Sequence, residues 1–335
     1  MRMDIQTYPT HIVAYKKYLA VKEATHSFLK KSGFLEVDLP VLSPVLIPES
    51  YLEVFQTDYI YGTKKQSLFL TPSPELFLKR LLVQGIGDCY SLNKSFRNSD
   101  PPSSLHSFEF TMLELYKMHA TYMDIADTLI KLLRSIAQSV SGSSHIVYQG
   151  TTVSFDKWEK ITVADAFKIY AHIPEDVLFN QSEFIKEAEK KGYAIEKSTY
   201  EDMFSQLYTQ EIEPHLGMNG YPTLLYDYPK EFAALAELNT DGKTAKRFEC
   251  YIAGIELGDC YSELTDWKEQ DGRFRQEDNK RKRSGRIMHP IDKGFIQALQ
   301  YGLEPCAGIA IGFDRLAAIF ANVSSIEETQ LITIS

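Results

Sequence analysis

The chain of 335 residues has few cysteines and no long apolar run. Its cysteines are Cys89, Cys250, Cys260 and Cys306, and no two stand in the CxxC spacing of zinc and redox sites. We therefore expect reduced, structural thiols. Because no apolar stretch is long enough to span a bilayer and residues 1–17 contain no apolar signal-peptide core, the sequence predicts a cytoplasmic protein without a membrane partner.

Positive charge is also scarce. Lys and Arg number 36 against 45 Asp and Glu, and the net charge of −9 argues against a broad nucleic-acid-binding surface, leaving only a local basic patch open. The hydrophobic fraction of 44% and the charged fraction of 24% are those of an ordinary globular protein. The length allows one large core or two modest ones.

Residues 96–116, FRNSDPPSSLHSFEFTMLELY, predict the end of one strand, a loop of turn-forming residues and a second strand. On the second strand, alternation places Phe110, Glu114 and Tyr116 on one face, with Arg97 arriving from the preceding strand. A carboxylate and a phenol on an apolar strand cost desolvation free energy unless a partner binds them, and a cationic ligand would do so. The pattern equally fits an amphipathic strand with a solvated polar end.

A second polar group lies in residues 247–266, RFECYIAGIELGDCYSELTD. Its acidic residues are Glu249, Glu256, Asp259, Glu263 and Asp266. The odd separation of Glu249 and Glu256 puts them on opposite faces of one continuous strand, but a turn near Ala253 and Gly254 would bring them together. Paired carboxylates are ligands for Mg²⁺ that bridges to substrate phosphates. We prefer this interpretation to the alternative, an exposed antiparallel ribbon with outward acids.

Two further segments carry candidate ligand-binding residues. In AGIAIGFDRLAAIFA, a strand would place three small residues on one face, namely Gly308, Ala310 and Gly312. Asp314 could cap the following helix, at whose start Arg315 can meet a phosphate. In TPSPELFLKRLLVQG, Ser73 can cap a helix and Glu75 lies in its first turn. For Glu75, these physical grounds alone favour a capping role over ligand binding.

The ordered combination of these segments resembles the class II aminoacyl-tRNA synthetases. FRN, a loop with a His and then FEFTMLELY resemble motif 2, and the ELY ending is similar to the lysyl branch. GFLEVDLPVLSP, residues 33–44, resembles motif 1, which builds the dimer interface in that family, and GIAIGFDR resembles motif 3. The resemblance implies an α+β fold with an antiparallel sheet flanked by helices, a homodimer, and the use of ATP and Mg²⁺.

The resemblance also implies roles for individual residues. Arg97 and Arg315 would be catalytic, and Glu249 and Glu256 would hold magnesium. The amino-acid substrate would bind to Ser73, Glu75, Glu114, Tyr116, Asp259, Tyr261, Glu263 and Ala310. ATP would bind to Arg97, Asn98, Ser99, Asp100, His106, Ser107, Phe110, Glu256, Leu257, Gly312 and Arg315.

Several stretches resemble one branch in particular, the elongation factor P–lysine ligases, which are truncated lysyl-tRNA synthetase-like proteins. They are SPE, EFTMLE, GIEL, ELTD, DNKRKRSGR followed by HPID, and GIAIGFDR with Ala310. The resemblance implies that ATP activates lysine or β-lysine as an adenylate, which is transferred to a lysine side chain of elongation factor P. Because motif 1 begins near residue 33, we expect a single catalytic domain over residues 1–335, with a helical subregion at about 141–215. We expect no N-terminal anticodon-binding OB domain and no tRNA partner.

Some positions depart from the family pattern. The motif 2 loop is one residue longer, Ser99 stands where an acid is usual, and the Arg that usually precedes His106 is missing. Asp259 stands where the family has Asn beside the substrate carboxylate. An Asp would repel that carboxylate unless it were protonated or turned towards a cation, so we hypothesise lowered affinity for α-lysine. Two other functions stay open: an amino-acid-activating enzyme that serves a tRNA or a small amine, and a catalytically silent regulatory paralogue.

Overall fold

The computed structural model describes residues 3–99 and 103–334. Its strands are β1 (Met3–Ile5), β2 (Leu35–Glu36), β3 (Leu42–Ser43), β4 (Gln56–Tyr61), β5 (Lys64–Leu70), β6 (Cys89–Phe96), β7 (Glu109–Met118), β8 (His145–Tyr148), β9 (Thr151–Ser154), β10 (Glu159–Thr162), β11 (Thr223–Pro229), β12 (Thr244–Ile252), β13 (Ile255–Ser262), β14 (Cys306–Gly312) and β15 (Ile332–Ile334). Its α-helices are α1 (Pro9–Lys31), α2 (Glu75–Val83), α3 (Tyr122–Ser141), α4 (Val163–Tyr170), α5 (Glu175–Leu178), α6 (Gln181–Lys190), α7 (Tyr200–Leu207), α8 (Trp267–Ser284), α9 (Lys293–Tyr301) and α10 (Phe313–Ala321).

The centre of the fold is an eight-stranded sheet with the strand order β10-β11-β12-β13-β14-β7-β6-β2. Neighbours from β11 to β6 are antiparallel, whereas the edge pairs, β10 with β11 and β2 with β6, are parallel. Helices flank this sheet, which confirms the predicted α+β class. In such a sheet, directly paired residues present their side chains on the same face.

One face of the sheet is covered by α1, α3 and α10. Alternate residues of β7 and β14 point into this core, among them Leu113, Leu115, Ile309 and Ile311, none more than 2% exposed. Helix α3 begins where Thr121 and Asp124 form a reciprocal capping box, and it ends at Gly142 with a left-handed backbone. Along β7 and β14, the residues that alternate with these core residues include the polar ones, and they lie on the opposite face of the sheet.

The predicted helical subregion has a hydrophobic core of its own. Helices α4, α6 and α7 bury Phe167, Phe184, Phe204 and Leu207, none more than 3% exposed. The subregion is not purely helical, because β8 and β9 form a hairpin and β10 joins the edge of the main sheet. In the main sheet, β11 alone lies between β10 of this subregion and β12, the strand that carries the predicted metal ligand Glu249.

One residue of the basic run near the end of α8, Arg281, has a structural role. Arg281 is 1% exposed and donates to the backbone oxygens of Glu49 and Leu52 and to the carboxylate of Glu53. These bonds hold the loop before β4 against α8. Strand β4 begins at Gln56, directly after this loop.

All four cysteines are free and buried, which agrees with the prediction of structural thiols. In the described part of the chain, none of the helices combines the length and the apolar composition that crossing a membrane requires.

Candidate active site

The polar face of the sheet is organised in rows of directly paired residues. One row crosses β7, β14, β13 and β12 and consists of Glu114, Ala310, Asp259 and Glu249. The adjacent row on the same strands consists of Tyr116, Gly308, Tyr261 and Arg247. Residues from all three sequence segments therefore meet on one face.

A bulge between β12 and β13 decides which acids reach this face. The hairpin turns at residues 253–254, as predicted, and both residues have positive φ. The register then shifts next to Tyr251, which places Asp259 rather than Gly258 opposite Glu249. A shift of one residue moves a side chain to the other face of a strand, so the bulge brings the Asp259 carboxylate to the site.

Gly308 makes room for the ring of Tyr116. A Cβ at position 308 would lie 2.4 Å from Cε1 of that ring. The ring can therefore lie across the neighbouring strand, where its hydroxyl donates to Glu114 Oε1 at 2.7 Å. The row of small residues predicted on this strand here accommodates an aromatic side chain of the protein itself.

We expect Gly308→Ala to destabilise the fold and to displace Tyr116 from Glu114. Overpacking a tight site costs about 1–3 kcal/mol, which would be measured as the free energy of unfolding in urea. Gly272→Ala in α8 is the matched control, because nothing lies within 4 Å of a Cβ at position 272 and alanine favours a helix interior over glycine. Equal stability of Gly308→Ala and the wild type would contradict this close contact.

A cavity of about 290 Å³ opens on the polar face. Among the residues that line it are eight that the resemblance assigns to ATP: Arg97, His106, Ser107, Phe110, Glu256, Leu257, Gly312 and Arg315. Asp259 and Ala310, assigned to the amino-acid substrate, line it as well. The two predicted groups thus meet at one cavity.

Arg315 joins three segments around this cavity. Its guanidinium donates to the backbone oxygens of Glu256 at 2.9 Å and Leu105 at 3.2 Å, and it lies 2.8 Å from His106 Nε2. A guanidinium held in this way by the motif 2 loop and β13 is oriented before a ligand arrives, which suits phosphate binding.

Asp314 is not the helix cap that the sequence predicts. Helix α10 begins at Phe313, and Asp314 Oδ2 instead accepts from the backbone N–H of Thr111 on β7 at 2.7 Å. This bond ties the first turn of α10 to the central strand of the motif 2 segment.

Arg97 has a donor atom without a partner. Its guanidinium carbon lies 5.3 Å from the centroid of the Phe110 ring. Its Nε is buried and has no hydrogen-bond partner among the described residues. An unpaired buried donor costs free energy, so we expect an anionic ligand to accept from it. A phosphate beside a flat ring fits this arrangement.

Two predicted ATP residues do not line the cavity. The Asn98 backbone N–H donates to the Glu53 oxygen at 2.9 Å, and the Asn98 side chain accepts from the Ser99 N–H at 3.0 Å. Ser99 has φ of +67°, a left-handed backbone conformation that residues other than glycine seldom adopt. Their assignment to ATP stays a prediction, and Asp100 lies outside the described residues.

A buried carboxylate cluster lies one strand further along the row from Ala310. Ser73 Oγ and Tyr116 OH donate to the two oxygens of Glu114 at 2.8 and 2.7 Å. Lys79 Nζ lies 2.5 Å from a carboxylate oxygen of Glu75 and 2.5 Å from one of Glu263. We call Glu75, Glu114 and Glu263 the acidic cluster. Burial, with the charge of Glu75 adding to it, raises the pKa of Glu114 to about 8.

The raised pKa of Glu114 predicts a pH-dependent stability. Between its ordinary value near 4.5 and about 8, the folded state holds a proton on Glu114 that the unfolded state releases, so folding loses this contribution as the pH rises through that window. We expect wild type to lose stability relative to Glu114→Gln between pH 5 and pH 8, in urea unfolding without ligand. A constant difference between the two proteins across this range would contradict the shift.

Glu249 and Glu256 suit the binding of a magnesium ion. Glu249 accepts from Arg247, Tyr208 and Tyr251 at 2.7–2.9 Å, which fixes its orientation. Burial and the Glu249 charge raise the pKa of Glu256, a cost that a cation would relieve. Among the described residues, no three His, Cys, Asp or Glu side chains cluster as a metal-binding set. Phosphate and water oxygens would complete the shell, as Mg²⁺ favours.

Asp259 is turned towards a cation. Arg247 contacts both of its oxygens, at 3.1 Å from Nε and 3.0 Å from Nη2, and Tyr261 OH also donates to it. Burial raises the pKa of Asp259 to about 7, although Arg247 opposes the shift. Because Asp259 faces a cation, we expect no repulsion between Asp259 and the substrate carboxylate. The electrostatic reason for lowered α-lysine affinity therefore disappears.

Sequence reasoning missed Arg247, Lys79 and Tyr208. Arg247 and Lys79 belong to the segments RFECY and LKRLL, so their residue types were visible, but one acidic partner of each lies on another part of the chain: Asp259 for Arg247 and Glu263 for Lys79. Tyr208 begins a π-helical turn, Tyr208–Ile212, and reaches Glu249 from the helical subregion. No local signal predicts that contact, although π-helical turns are frequent at functional sites.

Comparison with known proteins agrees with this geometry. Residues 12–333 match the family described as tRNA synthetases class II (D, K and N). The chain belongs to this family. It is 34% identical over 313 residues to a lysine–tRNA ligase of Pelotomaculum thermopropionicum. It is also 34% identical over 308 residues to an elongation factor P–(R)-β-lysine ligase of Hamiltonella defensa, and 32% identical over 319 residues to one of Yersinia enterocolitica.

The two kinds of relative differ in how much of their own length matches this chain. The match to the Pelotomaculum protein covers 92% of this chain but only 60% of that relative. The matches to the Hamiltonella and Yersinia proteins cover 90% and 93% of this chain and 89% and 92% of those relatives.

Proposed function

We propose that the chain uses ATP to activate lysine or β-lysine as an aminoacyl-adenylate and transfers it to a lysine side chain of elongation factor P. The observation that carries this proposal is the acidic cluster beside a cavity lined by Arg97 and Arg315. A pocket for ammonium groups next to a site for phosphates is what joining a diamino acid to ATP requires.

The first step forms the adenylate. Arg97, Arg315 and His106 would bind the ATP phosphates, and Phe110 would lie against the adenine. A carboxylate oxygen of the amino acid attacks the α-phosphorus, and pyrophosphate leaves with the electron pair of the breaking P–O bond. Glu249 and Glu256 would hold magnesium, which offsets phosphate charge. Positioning and charge neutralisation account for catalysis here, without an enzyme nucleophile.

The acidic cluster would orient the amino acid. Glu114, Tyr116 and Glu263 would hold the ε-ammonium through charge-assisted hydrogen bonds, and Glu75 would hold the other amine. In the second step, the acceptor amine attacks the adenylate carbonyl carbon. A C–N bond forms, the C–O bond to AMP breaks, and the amine loses a proton.

Elongation factor P is the proposed acceptor because the relatives named as its ligases are matched over 89% and 92% of their length. The net charge of −9 also disfavours a broad tRNA-binding surface. We further propose a homodimer through the motif 1 segment, where β2 forms the sheet edge and Leu35 is 52% exposed. Its place of action would be the cytoplasm, where elongation factor P works.

Amino-acid-dependent pyrophosphate exchange with ATP tests the activation step. We expect exchange with β-lysine or α-lysine and none with norleucine, which lacks the ε-amine. Exchange with β-lysine above α-lysine would support the protein-ligase branch. Preference for an unrelated amino acid would refute the substrate assignment, and no exchange with any amino acid would favour the silent paralogue.

Transfer of labelled amino acid tests the acceptor. We expect label on elongation factor P and none on a variant whose acceptor lysine is replaced by arginine. Label on tRNA instead would support the second candidate function, an activating enzyme that serves tRNA. That candidate is favoured by the 34% identity to a lysine–tRNA ligase.

A further inference from the structure

We infer that Lys79 is a positioning residue that holds Glu75 and Glu263 apart at the separation needed by the two amines of the substrate. The inference rests on the proposed function and assigns a role to a residue outside the predicted site. Lys79 Nζ lies 2.5 Å from Glu75 Oε1 and 2.5 Å from Glu263 Oε2. Its side chain is 3% exposed, so both contacts form away from solvent.

The local sequence places Lys79 in this position. Residues four apart on a helix share a face, and Lys79 follows Glu75 by four residues on α2. Glu263 comes from a different part of the chain, directly after β13. One ammonium therefore connects the helix that carries one predicted amine ligand to the strand end that carries another. A lysine with only a helix-stabilising role would be solvent-exposed and would contact Glu75 alone.

The ionisation of Lys79 agrees with this role. Burial lowers the pKa of Lys79, but the carboxylates of Glu263 and Glu75 outweigh burial and leave the pKa above its usual range. Lys79 is therefore positively charged throughout the physiological range. The adjacent Arg80 is directed elsewhere and pairs with Asp292.

The charge count of the acidic cluster indicates the class of substrate. Without ligand, burial raises the pKa of Glu114 and of Glu263 to about 8, and bound ammonium groups would lower both values by favouring the ionised carboxylates. With a ligand bound, three ionised carboxylates and protonated Lys79 would carry two negative charges, which equals the two ammonium charges of a diamino acid. Outside the cluster, Asp259 pairs with Arg247, and the charge of Arg97 lowers the pKa of Glu49 against the burial that raises it. A monoamino acid would leave one buried carboxylate without a cation, and this is costly. The acidic cluster together with Lys79 therefore favours a diamino acid over a monoamino acid.

The test is pyrophosphate exchange by Lys79→Met, which keeps the side-chain length and removes the charge. We expect the KM for the diamino acid to rise by about 10- to 100-fold, the range for residues that orient ligating side chains. The KM for ATP should stay within about twofold, because neither ion-pair partner of Lys79, Glu75 or Glu263, lines the cavity. Ethylammonium added to Lys79→Ala should restore part of the affinity, since it can occupy the space that the lysine leaves.

Lys186→Met is the matched control, because Lys186 forms an ion pair with Glu183 at 2.9 Å on α6 in the helical subregion, outside the site. It should leave both KM values unchanged. An unchanged amino-acid KM in a folded Lys79→Met protein would overturn the inference, and so would a parallel rise in both KM values. Pyrophosphate exchange by the wild type separates the two proposals. If the wild type activates no diamino acid, the proposed function fails. If the wild type shows normal exchange and Lys79→Met is unaffected, only the positioning role is refuted.

Discussion

Replacing Arg97 by glutamine is expected to lower the rate of pyrophosphate exchange by about 10³-fold, the loss seen when a preorganised group that stabilises developing charge is removed. The reason is that the buried Nε of Arg97 has no partner among the described residues and the guanidinium lies over Phe110. Its charge is thus available to a phosphate. The exchange rate at saturating ATP and amino acid measures the effect, and the thermal midpoint of unfolding verifies that the variant is folded.

Arg275→Gln is the control for loss of an arginine. Arg275 is 72% exposed and pairs with Asp271 on the surface of α8, so its replacement should leave exchange unchanged. If Arg97→Gln kept more than about a tenth of the wild-type exchange rate, Arg97 would not stabilise the charge that develops in the transition state. The phosphate role would then rest on Arg315 and His106.

Glu114→Gln is expected to raise the KM for the amino acid by about 10³-fold, because breaking a buried charge pair costs roughly 3–5 kcal/mol. Glu114 is 2% exposed and both of its oxygens accept hydrogen bonds, from Ser73 and Tyr116. The glutamine amide cannot ionise when an ammonium group binds, and its NH₂ group would face donors. ATP affinity should change little, since Glu114 does not line the cavity.

Glu183→Gln provides the matched control on α6, where Glu183 is half-exposed and pairs with Lys186. It should not alter either KM. A Glu114→Gln protein with normal amino-acid affinity would mean that the ammonium binds elsewhere. Loss of ATP affinity of the same size would indicate collapse of the whole site and not a defect in amino-acid binding.

The strand pattern around Glu114 was predictable because alternation is a local property. The face that carries Phe110, Glu114 and Tyr116 is the polar face, and Leu113 and Leu115 fill the core on the other side. The turn at residues 253–254 was likewise predictable from local composition. By contrast, the predicted cap at Asp314 was wrong because a donor on another strand, the Thr111 N–H, binds that carboxylate.

The sequence alone, through its resemblance to the class II synthetases, determined the fold class, the order of the three motifs and most of the residues that line the cavity. Only the tertiary structure decided how the charges are paired. The bulge in β13 brings Asp259 to Arg247, the π-helical turn brings Tyr208 to Glu249, and α2 brings Lys79 to Glu263. Each of these pairs joins different elements, so no local pattern contains the contact. Each forms because a buried charge or polar group must find a partner where the fold places one.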